Sequence, residues 1–277
     1  MKIQLAPACD DLEWLYSPDW EYADYGDCKR RLQMIVPYRR AWAEGEKYPL
    51  ILFIPGAAWY KQELYNDIPK LSRLAERGFA VAVLECREST MAAFPAQVED
   101  VSRAIAFLRQ KAGEIHVDED RIYLMGNSYG GHIAMMAMLL NAHGLCSAFP
   151  MVKGVICQSG STDLLTCAKD PLPPWMKRRP SADLLGVESI QGNEDLARRA
   201  SCGMYITREI ALPPVLLLHS GDDPIVSAEN SRLLHGRLES TGHDVTYYEL
   251  QGAAHGGAVF FCDEILNLIA DFIRRRN

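Results

Sequence analysis

Short, largely apolar runs of residues recur along the chain from about residue 50 onward. These runs occupy positions 50–54, 80–84, 121–125, 154–157 and 215–218, and a further strand is expected at 245–250. Runs in which apolar and polar residues do not alternate are typical of strands buried on both faces of a parallel sheet. The pattern therefore predicts a sheet whose strands are mostly parallel.

Apolar residues at helical spacing lie between these runs. The stripes are formed by Val98, Val101, Ile105 and Leu108, by Ile133, Met136, Ala137 and Leu140, and by Ile265, Leu268, Ile269 and Phe272. A strand, a helix and another strand in succession require crossover connections, which place helices over both faces of a parallel sheet. We predict an α/β fold, and the length of 277 residues is compatible with one domain spanning 1–277.

Two regions depart from this alternation. Residues 1–49 suggest an antiparallel entry, in which a strand at 32–36 pairs with 50–54 across a turn near 44–46. Residues 159–212 are longer than a simple crossover and rich in Pro, Arg and Asp, so we expect an excursion over the carboxyl edge of the sheet. We predict that this segment forms a cap.

Composition and net charge argue against some classes of partner but do not identify a function. Hydrophobic residues make up 48% and charged residues 23%, and the net charge is −7, as in an ordinary globular protein. An acidic surface does not attract nucleic acid or anionic lipids, so we read the basic runs at 177–179 and 274–276 as solvated. We expect neither nucleic acid nor a membrane as partner, while a homodimer stays open.

The start of the chain and its cysteines bear on location. The first residues show no apolar core of a secretory signal, and no run approaches the roughly 18 apolar residues of a membrane span. The eight cysteines are scattered, without C-x-x-C pairs or metal-binding spacing. We expect a cytoplasmic protein with no metal and no cofactor.

A nucleophile motif follows the run at 121–125. Positions 126–130 read Gly-Asn-Ser-Tyr-Gly and lead into a helical pattern, so the G-x-S-x-G motif stands between a strand and a helix. Such a turn holds the serine in a strained backbone conformation, and glycines on both sides let strand and helix approach. We predict that Ser128 is the nucleophile.

An oxyanion hole needs backbone N–H donors near that serine. The loop after the run at 50–54 carries small residues at 56–58, which leave room for a substrate oxygen. We expect the N–H of Ala57 or Ala58 to act together with that of Tyr129.

The acid and the base should follow later strands. Asp222 and Asp223 follow the run at 215–218, and Asp163 follows the preceding strand, so three carboxylates compete. His255 lies on a Gly- and Ala-rich loop between the last strand and the last helix, where it can reach across to Ser128. His235 falls within a predicted helix and His243 in a turn, so the order Ser, Asp, His favours His255 as the base.

Longer stretches of the chain resemble the α/β-hydrolase esterase and lipase superfamily, in particular its acetyl- and feruloyl-esterase-like branch. That branch is related to the hormone-sensitive lipase and prolyl oligopeptidase groups. Pro-Gly-Ala-Ala-Trp at 55–59 is similar to the H-G-G-G-W of the family, and residues 86–89 and 94–100 are similar to Y-R-x-S and F-P-A-Q-x-x-D. The element H-G-x-x-D-x-x-V aligns with 219–226, which selects Asp223. The resemblance covers residues 48–273.

This resemblance implies the α/β-hydrolase fold and hydrolysis of a carboxylic ester through an acyl-enzyme. Ser128, His255 and Asp223 would form the catalytic triad. The chain departs from the family where Pro55 replaces a histidine and alanines replace two glycines. Tyr129 is also bulkier than the usual residue, and we expect it to narrow the acyl site.

Three aromatic residues are candidates for the substrate pocket, although each also suits a core. They are Trp59, Tyr60 and Trp175. We expect a small-molecule ester with a short acyl group on a small alcohol or a sugar. Two alternatives are a serine peptidase acting on short peptides and a ligand-binding protein that has the fold without catalysis.

Overall fold

The computed structural model describes residues 1–6, 12–39, 45–170, 172 and 176–275. Eight strands form one central sheet. They are β1 (Glu13–Asp24), β2 (Lys29–Tyr38), β3 (Tyr48–Ile54), β4 (Ala80–Leu84), β5 (Val117–Asn127), β6 (Gly154–Gln158), β7 (Val215–Ser220) and β8 (Val245–Leu250). Every apolar run predicted as a strand is one.

The strands are ordered β1-β2-β4-β3-β5-β6-β7-β8 across the sheet. From β4 to β8 all neighbours are parallel, whereas β2 is antiparallel to both β1 and β4. The predicted pairing of 32–36 with 50–54 is therefore wrong. Both edges of β3 are hydrogen-bonded to β4 and β5, so β2 pairs with the free edge of β4 instead.

Helices cover both faces of the sheet, as predicted. They are α1 (Ile68–Ala75), α2 (Ala96–Lys111), α3 (Tyr129–Ala142), α4 (Leu164–Cys167), α5 (Pro180–Leu184), α6 (Glu194–Arg199), α7 (Glu229–Ser240) and α8 (Asp263–Arg274). α1 and α8 pack on one face, where Leu71 and Ile269 are buried, and α2 and α3 pack on the other, with Ile105 and Ile133 buried. The alternating side chains of the buried strands supply both cores.

The segment between β6 and β7 contains three of the short helices, α4, α5 and α6. Several of its residues, among them Ser161, Cys167 and Met176, line a cavity beside Ser128. Its action as a cap stays a prediction. Among the described residues, no helix combines the length and apolar character needed to cross a membrane.

Candidate active site

Ser128 occupies a sharp turn between β5 and α3. Its φ and ψ are 54° and −123°, a positive φ that costs energy for any residue with a Cβ atom. The turn is possible because α3 lies against the end of β3: a Cβ on Gly130 would come within 1.9 Å of the Ile54 carbonyl oxygen. The strained turn predicted from G-x-S-x-G is present.

The side chains of Ser128, His255 and Asp223 form a chain of contacts in which His255 lies within hydrogen-bond distance of both of the others. The Ser128 hydroxyl is 2.8 Å from His255 Nε2, and His255 Nδ1 is 2.8 Å from Asp223 Oδ2. The three residues follow β5, β8 and β7, whose carboxyl ends lie at the same edge of the sheet. The structure therefore brings together side chains that are 127 and 32 positions apart.

Asp223 is held by four donors. Its Oδ1 accepts the backbone N–H groups of Ile225 and Val226, each at 2.9 Å. Oδ2 faces His255 Nδ1, and it lies 3.4 Å from Nε2 of the buried His219. Burial raises the pKa of this carboxyl, but the hydrogen bonds from the two histidines and from Val226 outweigh that and hold the pKa well below its ordinary value. Asp223 is thus a fixed negative charge beside His255.

The other candidate acids and histidines are exposed or have other partners. Asp222 is exposed, and the carboxylate of Asp163 accepts the Thr166 N–H and caps α4. The ring of His235 packs against Tyr247, and His243 bonds the Thr207 carbonyl. These are a helix cap, a ring contact and a hydrogen bond to a backbone carbonyl, and none of them involves Ser128.

The loop after β3 lies beside Ser128 and lines the same cavity. Ala58 and Trp59 have positive φ angles of 50° and 61°, and the N–H of Gly56 donates to Asn127 Oδ1 at 2.5 Å. Ala57, Ala58 and Ser128 line the same cavity. Within the described part of the chain, the N–H groups of Ala57, Ala58 and Tyr129 donate to no protein acceptor. That these three N–H groups form an oxyanion hole stays a prediction.

The side chain of Tyr129 does not line the two cavities beside Ser128. It is fully buried, and its hydroxyl accepts a hydrogen bond from Gln62. The ring lies in the core against Trp59, so the expectation from its bulk is not met. The side-chain oxygen Oε1 of Gln62 also accepts the Cys86 N–H, which joins the loop after β3 to the end of β4.

Two of the three aromatic residues expected in the pocket line cavities beside Ser128. Trp59 is only 4% exposed, but it lines one cavity beside Ser128. Tyr60 lines a second cavity beside Ser128. The Tyr60 hydroxyl donates to Asp183, at 2.5 Å, in the segment between β6 and β7. Trp175 lies outside the described residues.

His132 holds the Trp59 side chain through a buried hydrogen bond. The Trp59 indole N–H donates to His132 Nδ1 at 3.2 Å, and His132 Nε2–H donates to the Ala200 carbonyl at 2.7 Å. This arrangement requires a neutral imidazole, and burial lowers the pKa of His132 from 6.5 to about 4. No signal in the sequence distinguishes this histidine from a surface one.

The low pKa of His132 makes stability depend on pH. The unfolded chain takes up a proton at this histidine near pH 6.5, whereas the folded chain does so only near pH 4, so stability falls as pH drops between these values. We expect this group to remove about 2 kcal/mol between pH 7.5 and pH 5. Urea unfolding at both pH values should show it, and His132→Gln should lack that part of the loss. Equal pH dependence in the two proteins would contradict the assignment.

Comparison with known sequences identifies the family. The family model described as BD-FAE matches residues 38–238, well over half of the chain. The chain belongs to the BD-FAE family. Esterase LipQ of Mycobacterium tuberculosis is 28% identical over 240 residues, covering 83% of this chain and 55% of LipQ. Isoprenylcysteine alpha-carbonyl methylesterase ICME of Arabidopsis thaliana is 26% identical over 270 residues, covering 88% and 60%. The chain thus spans little more than half the length of these curated relatives.

Solved structures confirm the α/β-hydrolase fold of this BD-FAE protein. A truncated carbohydrate esterase from gut microbiota superposes with a TM-score of 0.78 at 24% identity, covering 98% of each chain. An acetyl ester-xyloside bifunctional hydrolase from Caldicellulosiruptor lactoaceticus gives a TM-score of 0.75 at 19% identity, covering 93% of this chain and 96% of its own. At such identities the likeness establishes the fold.

Two cavities of unequal size meet at Ser128 in this BD-FAE protein. The narrow cavity has a volume of about 80 Å³ and is lined mainly by apolar groups, including Trp59, Met176 and Val226. The wide cavity has a volume of about 410 Å³ and is lined in part by polar residues such as Asn127. Met176 borders both. A substrate centred on Ser128 would therefore have one tightly limited side and one open side.

Polar groups also reach the narrow cavity. Asp170 and Arg179 line it, and the Arg179 Nη1 group donates to the carbonyls of Cys167 and Asp170. Across the described residues, no three His, Cys, Asp or Glu side chains are grouped as a metal site would require.

Proposed function

We propose that this protein hydrolyses carboxylic esters through an acyl-enzyme formed on Ser128. The observation that carries the proposal is the continuous hydrogen-bonded chain from the Ser128 hydroxyl through His255 to Asp223, with 2.8 Å at each step. A nucleophile, a base and a group that orients the base are the parts such a reaction needs. The esterase names of the relatives support an ester as the bond cleaved.

In the first half of the proposed reaction, Ser128 Oγ attacks the ester carbonyl carbon while His255 Nε2 takes the hydroxyl proton. The carbonyl oxygen becomes an oxyanion, stabilised by the N–H groups of Ala58 or Ala57 and of Tyr129. The start of α3 adds the positive end of a helix dipole. The C–O bond to the alcohol then breaks, and His255 returns its proton to that oxygen.

In the second half, a water molecule gives its proton to His255 and attacks the acyl carbon. The bond to Ser128 Oγ breaks, the proton returns to the serine, and a carboxylic acid leaves. Asp223 stays ionised throughout, because its donors favour the charged form. Its negative charge holds the productive His255 tautomer and stabilises the imidazolium.

A fluorophosphonate probe tests the proposed function directly. We expect stoichiometric labelling of the native protein, a modified peptide containing Ser128, and loss of p-nitrophenyl butyrate hydrolysis in proportion to labelling. Heat-unfolded protein is the control, since it should not react. A folded protein that neither reacts with the probe nor cleaves the ester would favour a ligand-binding role instead. Cleavage of dipeptide amides in preference to esters would favour the peptidase alternative.

We also propose that the narrow cavity holds the acyl group and the wide cavity the alcohol. At roughly 10–15 Å³ for each water-sized group, about 80 Å³ accommodates about six non-hydrogen atoms. Acetyl to butyryl groups fit this limit, and an octanoyl or feruloyl group exceeds it. The larger and partly polar cavity leaves room for an alcohol such as a sugar.

The size limit predicts the chain-length preference. We expect kcat/KM for p-nitrophenyl acetate or butyrate to exceed that for the octanoate at least about tenfold, because each methylene that cannot enter a pocket costs about 1–3 kcal/mol. Met176→Ala should reduce this ratio by enlarging the cavity. Met204→Ala, at a methionine that is 56% exposed, should leave the ratio unchanged. A preference for octanoate in the unaltered protein would place the acyl group in the wide cavity.

A further inference from the structure

His219 is a fully buried histidine that the proposed reaction does not use. It lies on β7, four residues before Asp223, and its side chain has no exposed surface. Its Nδ1 is 2.7 Å from the hydroxyl of Ser231, which is also buried. Its Nε2 is 3.0 Å from the Val226 carbonyl and 3.4 Å from Asp223 Oδ2. Both ring nitrogens therefore have defined partners.

These partners determine which nitrogen carries the proton. The Val226 carbonyl and the Asp223 carboxylate can only accept, so the proton is on Nε2 and points at both of them. Nδ1 then accepts the Ser231 hydroxyl proton. Ser231 lies on α7, so the imidazole is fixed between that helix and the loop that follows β7.

The same contacts join His219 to the groups that hold Asp223. Val226 donates its N–H to Asp223 Oδ1 at 2.9 Å, while its carbonyl accepts from His219. Val226 in the loop 223–226 therefore bonds the Asp223 carboxylate through its N–H and the His219 imidazole through its carbonyl. His219 faces the oxygen that also accepts from His255, so its removal would affect the atom on which His255 depends.

We propose that His219 is a positioning residue that fixes Asp223 for its contact with His255, and that Ser231 fixes His219 in turn. The proposal rests on the proposed function only through the role of His255. It extends the chain of contacts to Ser231, His219, Asp223, His255 and Ser128. If His219 only filled space in the core, its Nε2 would not need to contact the Asp223 carboxylate or to bond the Val226 carbonyl.

The test compares two replacements of His219. His219→Leu removes the donor, and we expect kcat for p-nitrophenyl butyrate to fall about 10- to 100-fold with KM within about twofold, because small displacements of a reacting group have effects of this size. His219→Gln retains an N–H donor and should recover most of kcat. His243→Leu is the matched control, since His243 also bonds a carbonyl through its Nε2 but contacts no residue of the site. We expect its kcat to be unchanged.

Two further measurements separate positioning from stability. The proton shared by His255 Nδ1 and Asp223 should give a strongly downfield proton NMR resonance, which His219→Leu should shift or broaden and His219→Gln should largely preserve. Combined with Asp223→Asn, His219→Leu should cause little additional loss of activity, because it acts through that carboxylate. Losses that multiply in the double variant, or a Gln variant as impaired as the Leu variant, would overturn the proposal.

Ser231→Ala keeps the test open if His219→Leu does not fold. It removes the Nδ1 partner alone, and we expect kcat to fall severalfold and the downfield resonance to broaden. An unchanged resonance and unchanged kcat would overturn the proposal. If the unaltered protein does not cleave esters, the proposed function fails, while the resonance and its response to His219 still test the positioning.

Discussion

Replacing Ser128 with alanine should reduce kcat/KM for p-nitrophenyl butyrate by about ten thousand-fold or more. The alanine cannot form the acyl-enzyme, so only the oxyanion donors and substrate binding would contribute to the residual rate. The backbone at this position already has a φ of 54°, and alanine requires no more strain there than serine. We therefore expect an unchanged free energy of unfolding, measured by urea denaturation alongside the kinetics.

The control for this variant is Ser240→Ala, at an exposed serine that ends α7 and bonds the Arg237 carbonyl. It should retain full activity and fluorophosphonate labelling, whereas Ser128→Ala should lose both. Adding His255→Ala to Ser128→Ala should lower the rate little further, because the two residues act as one unit. A Ser128→Ala protein that keeps a substantial fraction of the activity would place the nucleophile elsewhere.

The strands and the chain order of the candidate site could be predicted from the sequence for identifiable reasons. Strands buried on both faces are mostly apolar, as in β3, whose seven residues are all buried, so they are visible without knowing their neighbours. The turn at Ser128 needs glycines at fixed offsets, and these are local. Only the resemblance to a family distinguished Asp223 from Asp222. In the structure the Asp223 side chain is buried against two histidines, whereas Asp222 is exposed.

The features that the sequence did not reveal depend on contacts between distant segments. The pairing of β2 with β4 follows from β3 having both edges occupied, which no local pattern records. Likewise, Gln62 and Asn127 are polar residues without a distinctive spacing. Their importance lies in holding Tyr129 and Gly56 across the fold.

The direction of a side chain was the hardest feature to predict. Tyr129 directly follows Ser128, yet its ring lies in the core against Trp59, with the ring centroids 6.0 Å apart. Trp59, in the loop after β3, is almost fully buried and bonds His132 through its indole N–H. Sequence proximity to a reacting atom therefore does not imply contact with the substrate.

The second large effect is expected on stability, at Gly130 in the first turn of α3. A Cβ there would lie 1.9 Å from the Ile54 carbonyl oxygen and 2.7 Å from its carbon, which are backbone atoms of the central strand β3. Neither can move without separating α3 from the sheet, because β3 is bonded on both sides. We expect Gly130→Ala to lower the free energy of unfolding by about 3 kcal/mol or more, the upper range for an overpacked site.

Gly236 provides the matched control for this measurement, because it lies inside α7 and a Cβ there would meet nothing within 4 Å. Gly236→Ala should stabilise the protein by about 0.5–1 kcal/mol, since alanine favours the helix and restricts the unfolded chain. Opposite signs in urea unfolding would show that contact with β3, rather than helix propensity, decides the outcome at Gly130. A Gly130→Ala protein as stable as the original would mean that α3 can withdraw from β3 at little cost. The turn that holds Ser128 would then depend on something other than this close approach.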